Sequence, residues 1–176
     1  MSAGDRFNND LRCRSSDHSR NRLLTPPYIL EPVRAALGGE IGLDPCTEVD
    51  NPTAALMFYT AQDDGLSQPW SFRPISNPSI FCNPPYGKAR EPWVENCISA
   101  GELGQRVILL IPSHTDTRIF QKVMDSATSI CFIKGRVKFG TLRPNRRQEA
   151  ASHPSALIGW NIERATLSPL GKCVSP

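Results

Sequence analysis

Val107-Ile108-Leu109-Leu110-Ile111 is an unbroken apolar run in which three of the five residues are β-branched. A strand with one wet face alternates apolar and polar residues, whereas a continuous run reads as a central parallel strand covered on both faces. Its neighbours supply the covers. Pro92 opens a helix over about 92–100, with Trp93, Cys97 and Ala100 on one face and Gly101 as its stop. After the run, a helix is predicted over Thr115–Met124, with Asp116 as N-cap and Ile119, Phe120, Val123 and Met124 facing inward. Ser79–Cys82, Ser129–Ile133 and Ala156–Trp160 read as further strands.

Upstream, Thr25 is the expected N-cap of a helix over 27–37, in which Ile29, Val33 and Leu37 recur every four residues and Gly38-Gly39 ends the run. Glu40–Leu43 is a short strand leading into Asp44-Pro45-Cys46. Ala54–Tyr59 fits a helical turn or a buried strand equally well. Asp63–Leu66 is a turn with Trp70 packed behind it, and 73–79 is a loop. Strand alternating with helix specifies an open α/β sheet flanked by helices, whose ligands sit beyond the carboxyl ends of the strands. Asp44, Asn83 and Ser113-His114 all follow predicted strands and are expected around one cleft.

The 176 residues suit one domain. Residues 1–22, polar and basic without periodicity, read as a mobile arm ahead of a domain over 23–176. No apolar run approaches the ~20 residues that span a bilayer, and the polar N-terminus has no signal core, so a cytoplasmic protein is expected. The six cysteines include no C-x-x-C pair and only three histidines accompany them, which argues against zinc. Cys82, Cys97 and Cys131 lie in apolar segments and read as buried thiols of a reducing compartment. Net charge is only +3, but Lys134, Arg136, Lys138, Arg143, Arg146 and Arg147 form an acid-free stretch, and Arg12, Arg14, Arg20 and Arg22 form another. Such runs are usually solvated faces; they also suit an enzyme that must hold phosphates.

Chemistry concentrates in Phe81-Cys82-Asn83-Pro84-Pro85-Tyr86-Gly87. Both prolines fix φ and offer no N–H, so the Asn83 side-chain oxygen and the Pro84 carbonyl can point the same way. Two such acceptors take both hydrogens of a planar NH2 group and leave its nitrogen lone pair free to attack. Tyr86 adds a face for a heteroaromatic ring. The competing reading is a stiff turn after a strand.

Asp44 suits an ammonium or a ribose hydroxyl, or it caps a turn. Asp64 suits an adenine amine, or it belongs to an ordinary Asp-Gly turn. His114 is a candidate base, more often a structural histidine. Phe139, set among basic residues, suits a stacked base or a buried strand. No G-x-G-x-x-G is present, which disfavours NAD and FAD.

Taken in order, Thr25-Pro26, Leu43-Asp44, Asp64-Gly65-Leu66, Asn83-Pro84-Pro85-Tyr86, Leu110-Ile111-Pro112 with Thr115-Asp116-Thr117, and Gly135–Phe139 resemble the phage-type DNA N6-adenine methyltransferase family, a compact Dam-like group. The resemblance covers roughly residues 23–160. It implies the single-domain, Rossmann-like sheet of S-adenosylmethionine (SAM) methyltransferases, a phage or prophage origin, and double-stranded DNA as partner, with no metal. Asn83, Pro84, Pro85 and Tyr86 would be the catalytic motif. Thr25, Pro26, Asp44 and Pro45 would line the methionine end of SAM, Asp64 would face its adenine, and Phe139 would stack on the target base. Arg136, Lys138, Arg143, Arg146 and Arg147 would hold the DNA backbone. The chain departs from the pattern where Asp44-Pro45-Cys46-Thr47-Glu48 replaces a glycine-rich loop, and no stretch is long enough for a separate target-recognition domain. Rival readings are methylation of RNA or of a protein glutamine amide, and a non-catalytic DNA-binding protein of the same fold.

Overall fold

Seven strands form one mixed sheet in the computed structural model, which describes residues 23–71, 79–140 and 150–176. In chain order they are β1 (Leu43–Asp44), β2 (Met57–Phe58), β3 (Ser79–Cys82), β4 (Arg106–Pro112), β5 (Ser129–Ile133), β6 (Ser155–Trp160) and β7 (Gly171–Val174). Their order across the sheet is β2-β1-β3-β4-β6-β5-β7. β2, β1, β3 and β4 run parallel; β6 is antiparallel to β4 and β5, and β7 is antiparallel to β5.

β4 is central and buried on both faces, as its apolar run predicts. It is parallel to β3 alone, because its other neighbour β6 runs the opposite way, with Leu109 opposite Ile158. Alternate β4 residues feed two cores. Ile108 and Leu110 join Ile29, Val33 and Leu37 of α1 (Pro27–Leu37), while Val107, Leu109 and Ile111 join Trp93, Val94 and Cys97 of α2 (Glu91–Glu102). Phe120 and Val123 of α3 (Arg118–Ser126) complete the second layer. Among the described residues no helix is long and apolar enough to cross a membrane.

Two expected helix caps fall elsewhere. Thr25 does not cap α1: Pro26 holds that position without any side-chain cap bond, because the Thr25 hydroxyl is turned toward Asn83. α3 begins at Arg118 rather than Thr115, and Thr117, not Asp116, accepts from the Phe120 amide at 3.3 Å. At its other end α1 stops as read, with Gly38 left-handed at φ 99° and Gly39 N–H bonded back to the Arg34 carbonyl at 2.8 Å. The open segment 54–59 resolves into the two-residue strand β2, half-exposed at the sheet edge. The closing elements, a 3-10 segment over Arg164–Leu170 and β7, carry no period of their own; β7 forms by pairing with β5. Cys82, Cys97 and Cys131 are buried and free, as expected.

Candidate active site

The chain direction across the sheet reverses beside β1: β2 lies on one side of it and β3 on the other. Where strand order reverses in an α/β sheet, the connections diverge and leave a crevice at the carboxyl ends. Asp44 ends β1 and Asn83 follows β3, so these two residues are brought to one crevice across 39 positions of sequence. The cleft between them is lined by Leu23, Leu24, Thr25, Asp44, Cys46 to Glu48, Pro52, Thr53 and Asn83 to Pro85.

Asn83 is held in one orientation. Its Nδ2 donates to the Leu23 carbonyl at 2.9 Å and to Thr25 Oγ1 at 3.1 Å. A carbonyl can only accept, so the amide nitrogen is assigned to that side and Oδ1 faces away with its acceptor capacity intact. Leu24 is itself fixed by a reciprocal pair of backbone bonds with Gly140, at 3.1 and 2.9 Å, which ties the strip 136–140 to the lip of the cleft.

Asp44 is only 3% exposed. Oδ1 accepts from the Cys46 amide at 3.1 Å and Oδ2 from Thr53 Oγ1 at 2.8 Å, and the Thr47 side chain bonds to it as well. Burial outweighs these bonds and pushes its carboxyl up from the ordinary 3.8 to about 6, with Glu48 adding like-charge repulsion. Thr53 is positioned by a loop braced by side-chain hydrogen bonds. Asn51 takes a left-handed backbone at φ 48° and brackets Ala55 through its amide, and Arg34 of α1 donates to the Thr53 carbonyl at 2.7 Å. None of Thr47, Glu48, Asn51 and Thr53 was singled out from sequence; the only signal was the non-glycine loop after β1.

The other expected site residues are distributed as follows. Pro26 and Pro45 adjoin the cleft in sequence without lining it. Asp64 does not end a strand. It lies in the exposed turn after β2 at φ 51°, accepting from Ser67 Oγ at 2.6 Å, and is not among the lining residues. That turn is pressed onto the cleft from behind: a Cβ at Gly65 would stand 1.9 Å from the Pro45 carbonyl oxygen, and Trp70 Nε1 donates to the Gly65 carbonyl at 2.8 Å. Gly65→Ala therefore forces backbone apart and is expected to cost about 1–3 kcal/mol in thermal or urea unfolding.

Tyr86 is half-buried, with Phe139 edge-on at 6.2 Å. Burial drives the Tyr86 hydroxyl well above its ordinary pKa against the opposing pull of Arg90, so it is a neutral phenol and not a base. Phe139 is 3% exposed and belongs to the core, because the strip alternates: Arg136 and Lys138 point out, Val137 and Phe139 in. In this arrangement Phe139 backs the Tyr86 ring and shows no free face for stacking. Arg136 donates to the Ser152 carbonyl at 2.9 Å, and Lys138 is exposed. Arg143, Arg146 and Arg147 lie outside the described residues, as does the expected arm 1–22. His114 packs edge-on against His153 at 4.5 Å and does not line the cleft. No group of three or more metal-ligating side chains occurs among the described residues.

The arrangement thus offers an anion at one end of a crevice and an oriented amide acceptor beside an aromatic ring at the other. The family model of DNA N-6-adenine-methyltransferase (Dam) matches residues 13–171. No curated protein matches the chain.

Proposed function

The chain belongs to the DNA N-6-adenine-methyltransferase (Dam) family, and from that premise we propose that it transfers the methyl group of SAM to adenine N6 at particular sites in duplex DNA. Residues 23–176 are the methyltransferase domain in this reading, and residues 1–22 a basic arm. The observation that carries it is the orientation of Asn83, whose Nδ2 is committed to Leu23 and Thr25 so that Oδ1 is left to accept.

The cleft chemistry fits the cofactor. Asp44 is a buried carboxylate with Glu48 nearby, which suits the ammonium of a methionine moiety, and the hydroxyls of Thr25, Thr47 and Thr53 suit its polar groups. Bound there, SAM supplies a methyl group made electrophilic by its sulfonium. Asp64, whose turn packs behind Pro45, is the candidate for the adenine end.

The target adenine must leave the duplex to be reached. Its ring stacks on Tyr86, with Phe139 supporting Tyr86 from the core. Asn83 Oδ1 and the Pro84 carbonyl accept the two N6 hydrogens. Accepting both localises the lone pair that is otherwise delocalised into the ring, and it aims that pair along one line. Alignment of this kind is worth ~7–11 kcal/mol. No strong base is required before attack, since the methylated amine becomes acidic and loses its proton to water. Arg136 and Lys138, with Arg143, Arg146 and Arg147, hold the backbone.

The test is tritium transfer from labelled SAM to unmethylated duplex DNA, followed by nucleoside analysis. Label recovered as N6-methyldeoxyadenosine supports the reading. Label found only in RNA or in protein amide moves the substrate to those classes, and salt-sensitive DNA binding without any transfer leaves a non-catalytic binder.

A further inference from the structure

Arg90 closes the 3-10 turn Lys88–Arg90 that joins the acceptor motif to α2. Its guanidinium lies with Cζ 5.8 Å from the centre of the Tyr86 ring, and the residue is half-buried. Its Nε is shut off from solvent and has no hydrogen-bond partner among the described residues. The carboxylate next to it in sequence does not serve it: Glu91 is paired with Arg118 at 2.8 Å, and the following acid, Glu95, is paired with Lys122. Desolvation accordingly disfavours the Arg90 cation, while Tyr86 works the other way.

A cation that is partly stripped of water, has no carboxylate partner among the described residues and keeps an unmet N–H is suited to an anion that arrives with a ligand. Guanidinium geometry matches phosphate through two parallel N–H bonds. The anion is not expected from the cleft side, because Arg90 does not line that cleft and the cleft is acidic through Asp44 and Glu48. On the Tyr86 side lies Phe139, flanked in sequence by exposed Lys138, so the cation adjoins the basic strip. A nucleotide whose base stacks on Tyr86 carries its own phosphates within a nucleotide's length of Arg90.

We propose that Arg90 binds a backbone phosphate of the nucleotide whose base stacks on Tyr86. It fixes that nucleotide outside the duplex and, in the absence of DNA, rests against the Tyr86 ring. The inference deepens the reading of Asn83–Tyr86 as the base acceptor and rests on it. Arg90 acts as a phosphate-binding and positioning residue; Asn83 and Pro84 meet the reacting amine.

The experiment compares wild type, R90K and R90Q in methylation of long unmethylated duplex DNA, with kcat/KM followed against salt between about 50 and 200 mM. Loss of one phosphate contact lowers the steepness of the log–log salt dependence by about 0.9. The expected result is that decrease in R90Q, a KM for DNA raised about tenfold, unchanged SAM affinity, and a slope restored in R90K. A slope in R90Q equal to wild type, whatever happens to kcat, overturns the proposal and leaves Arg90 as a packing partner of Tyr86. Where R90Q does not fold, R90M keeps the apolar stem along Tyr86 and carries the same comparison. The salt slope of DNA binding, measured in parallel by anisotropy, separates the two failures. Wild type that binds DNA but transfers no methyl group overturns the methylation reading, while the R90Q slope still decides Arg90. Wild type that does not bind DNA overturns both.

Discussion

Asn83→Ala is expected to lower methyl transfer by about 10³-fold or more at saturating SAM and DNA. Removing one group oriented toward the reacting atoms typically costs about 10²–10³ in kcat. In the proposed reading the same side chain also aligns the amine, so part of the positioning contribution is lost as well. The effect on SAM affinity should be small, because Ala removes no charge from the cleft and leaves Asp44, Thr47 and Thr53 in place. Stability should fall by about 1–2 kcal/mol, since the Leu23 carbonyl and the Thr25 hydroxyl lose the Nδ2 donor at 2.9 and 3.1 Å. Tritium transfer, calorimetric SAM titration and thermal melting read the three effects separately. Turnover within tenfold of wild type would sink the assignment of Asn83 as amine acceptor.

Asp44→Asn is expected to move stability and cofactor binding in opposite directions. Burial raises the Asp44 carboxyl from 3.8 to about 6, so the folded protein holds this proton to higher pH than the unfolded chain does. The unfolded state binds fewer protons between about pH 4 and 6, and stability therefore falls as pH rises through that window and stays low above it. By pH 7 the buried charge costs on the order of 3 kcal/mol. The asparagine side chain removes that cost while its oxygen can still accept from the Cys46 amide, and the Thr53 hydroxyl can rotate to accept instead of donate. The empty protein should melt higher at pH 7 and lose the decline between pH 4 and 6.

SAM affinity should meanwhile drop about 10- to 100-fold, the value of one charge-assisted hydrogen bond. Wild type should show the matching pH dependence, binding SAM more weakly below about pH 6 as Asp44 takes up its proton. Melting curves and calorimetric titrations at pH 5 and 7 check both halves. An Asp44→Asn variant that binds SAM like wild type would remove Asp44 from the cofactor site.

Much of the sheet was readable from composition alone, because a strand buried on both faces has few alternatives to an apolar run. Ser79–Cys82 and Ser129–Ile133 coincide with their predicted limits, and β4 extends one residue beyond Val107–Ile111 at each end. Edge elements were not readable. β2 has two residues and β7 has one exposed lysine in four; each is a strand because a neighbour offers unpaired backbone groups. The helix caps fall away from the local cap signals for a related reason. Thr25 has the chemistry of a cap, yet its hydroxyl accepts from Asn83, 58 positions away, and a window of local sequence does not contain that partner.

The site divides along the same line. The acceptor character of Asn83-Pro84-Pro85-Tyr86 belongs to local chemistry: two prolines fix the backbone and leave carbonyls without competing N–H groups. The resemblance to the Dam family was likewise legible in the order of short motifs along the chain, and the family model matches residues 13–171. Which way the Asn83 amide faces, that Asp44 is buried with its carboxyl pushed up to about 6, that Phe139 supports Tyr86 from the core, and that Arg90 stands beside Tyr86 with no carboxylate partner among the described residues were decided by tertiary structure. Each of these depends on contacts between residues far apart in sequence, and on the water those contacts exclude. A sequence specifies what a side chain can donate, accept or titrate; only packing determines its partner and the dielectric in which they meet.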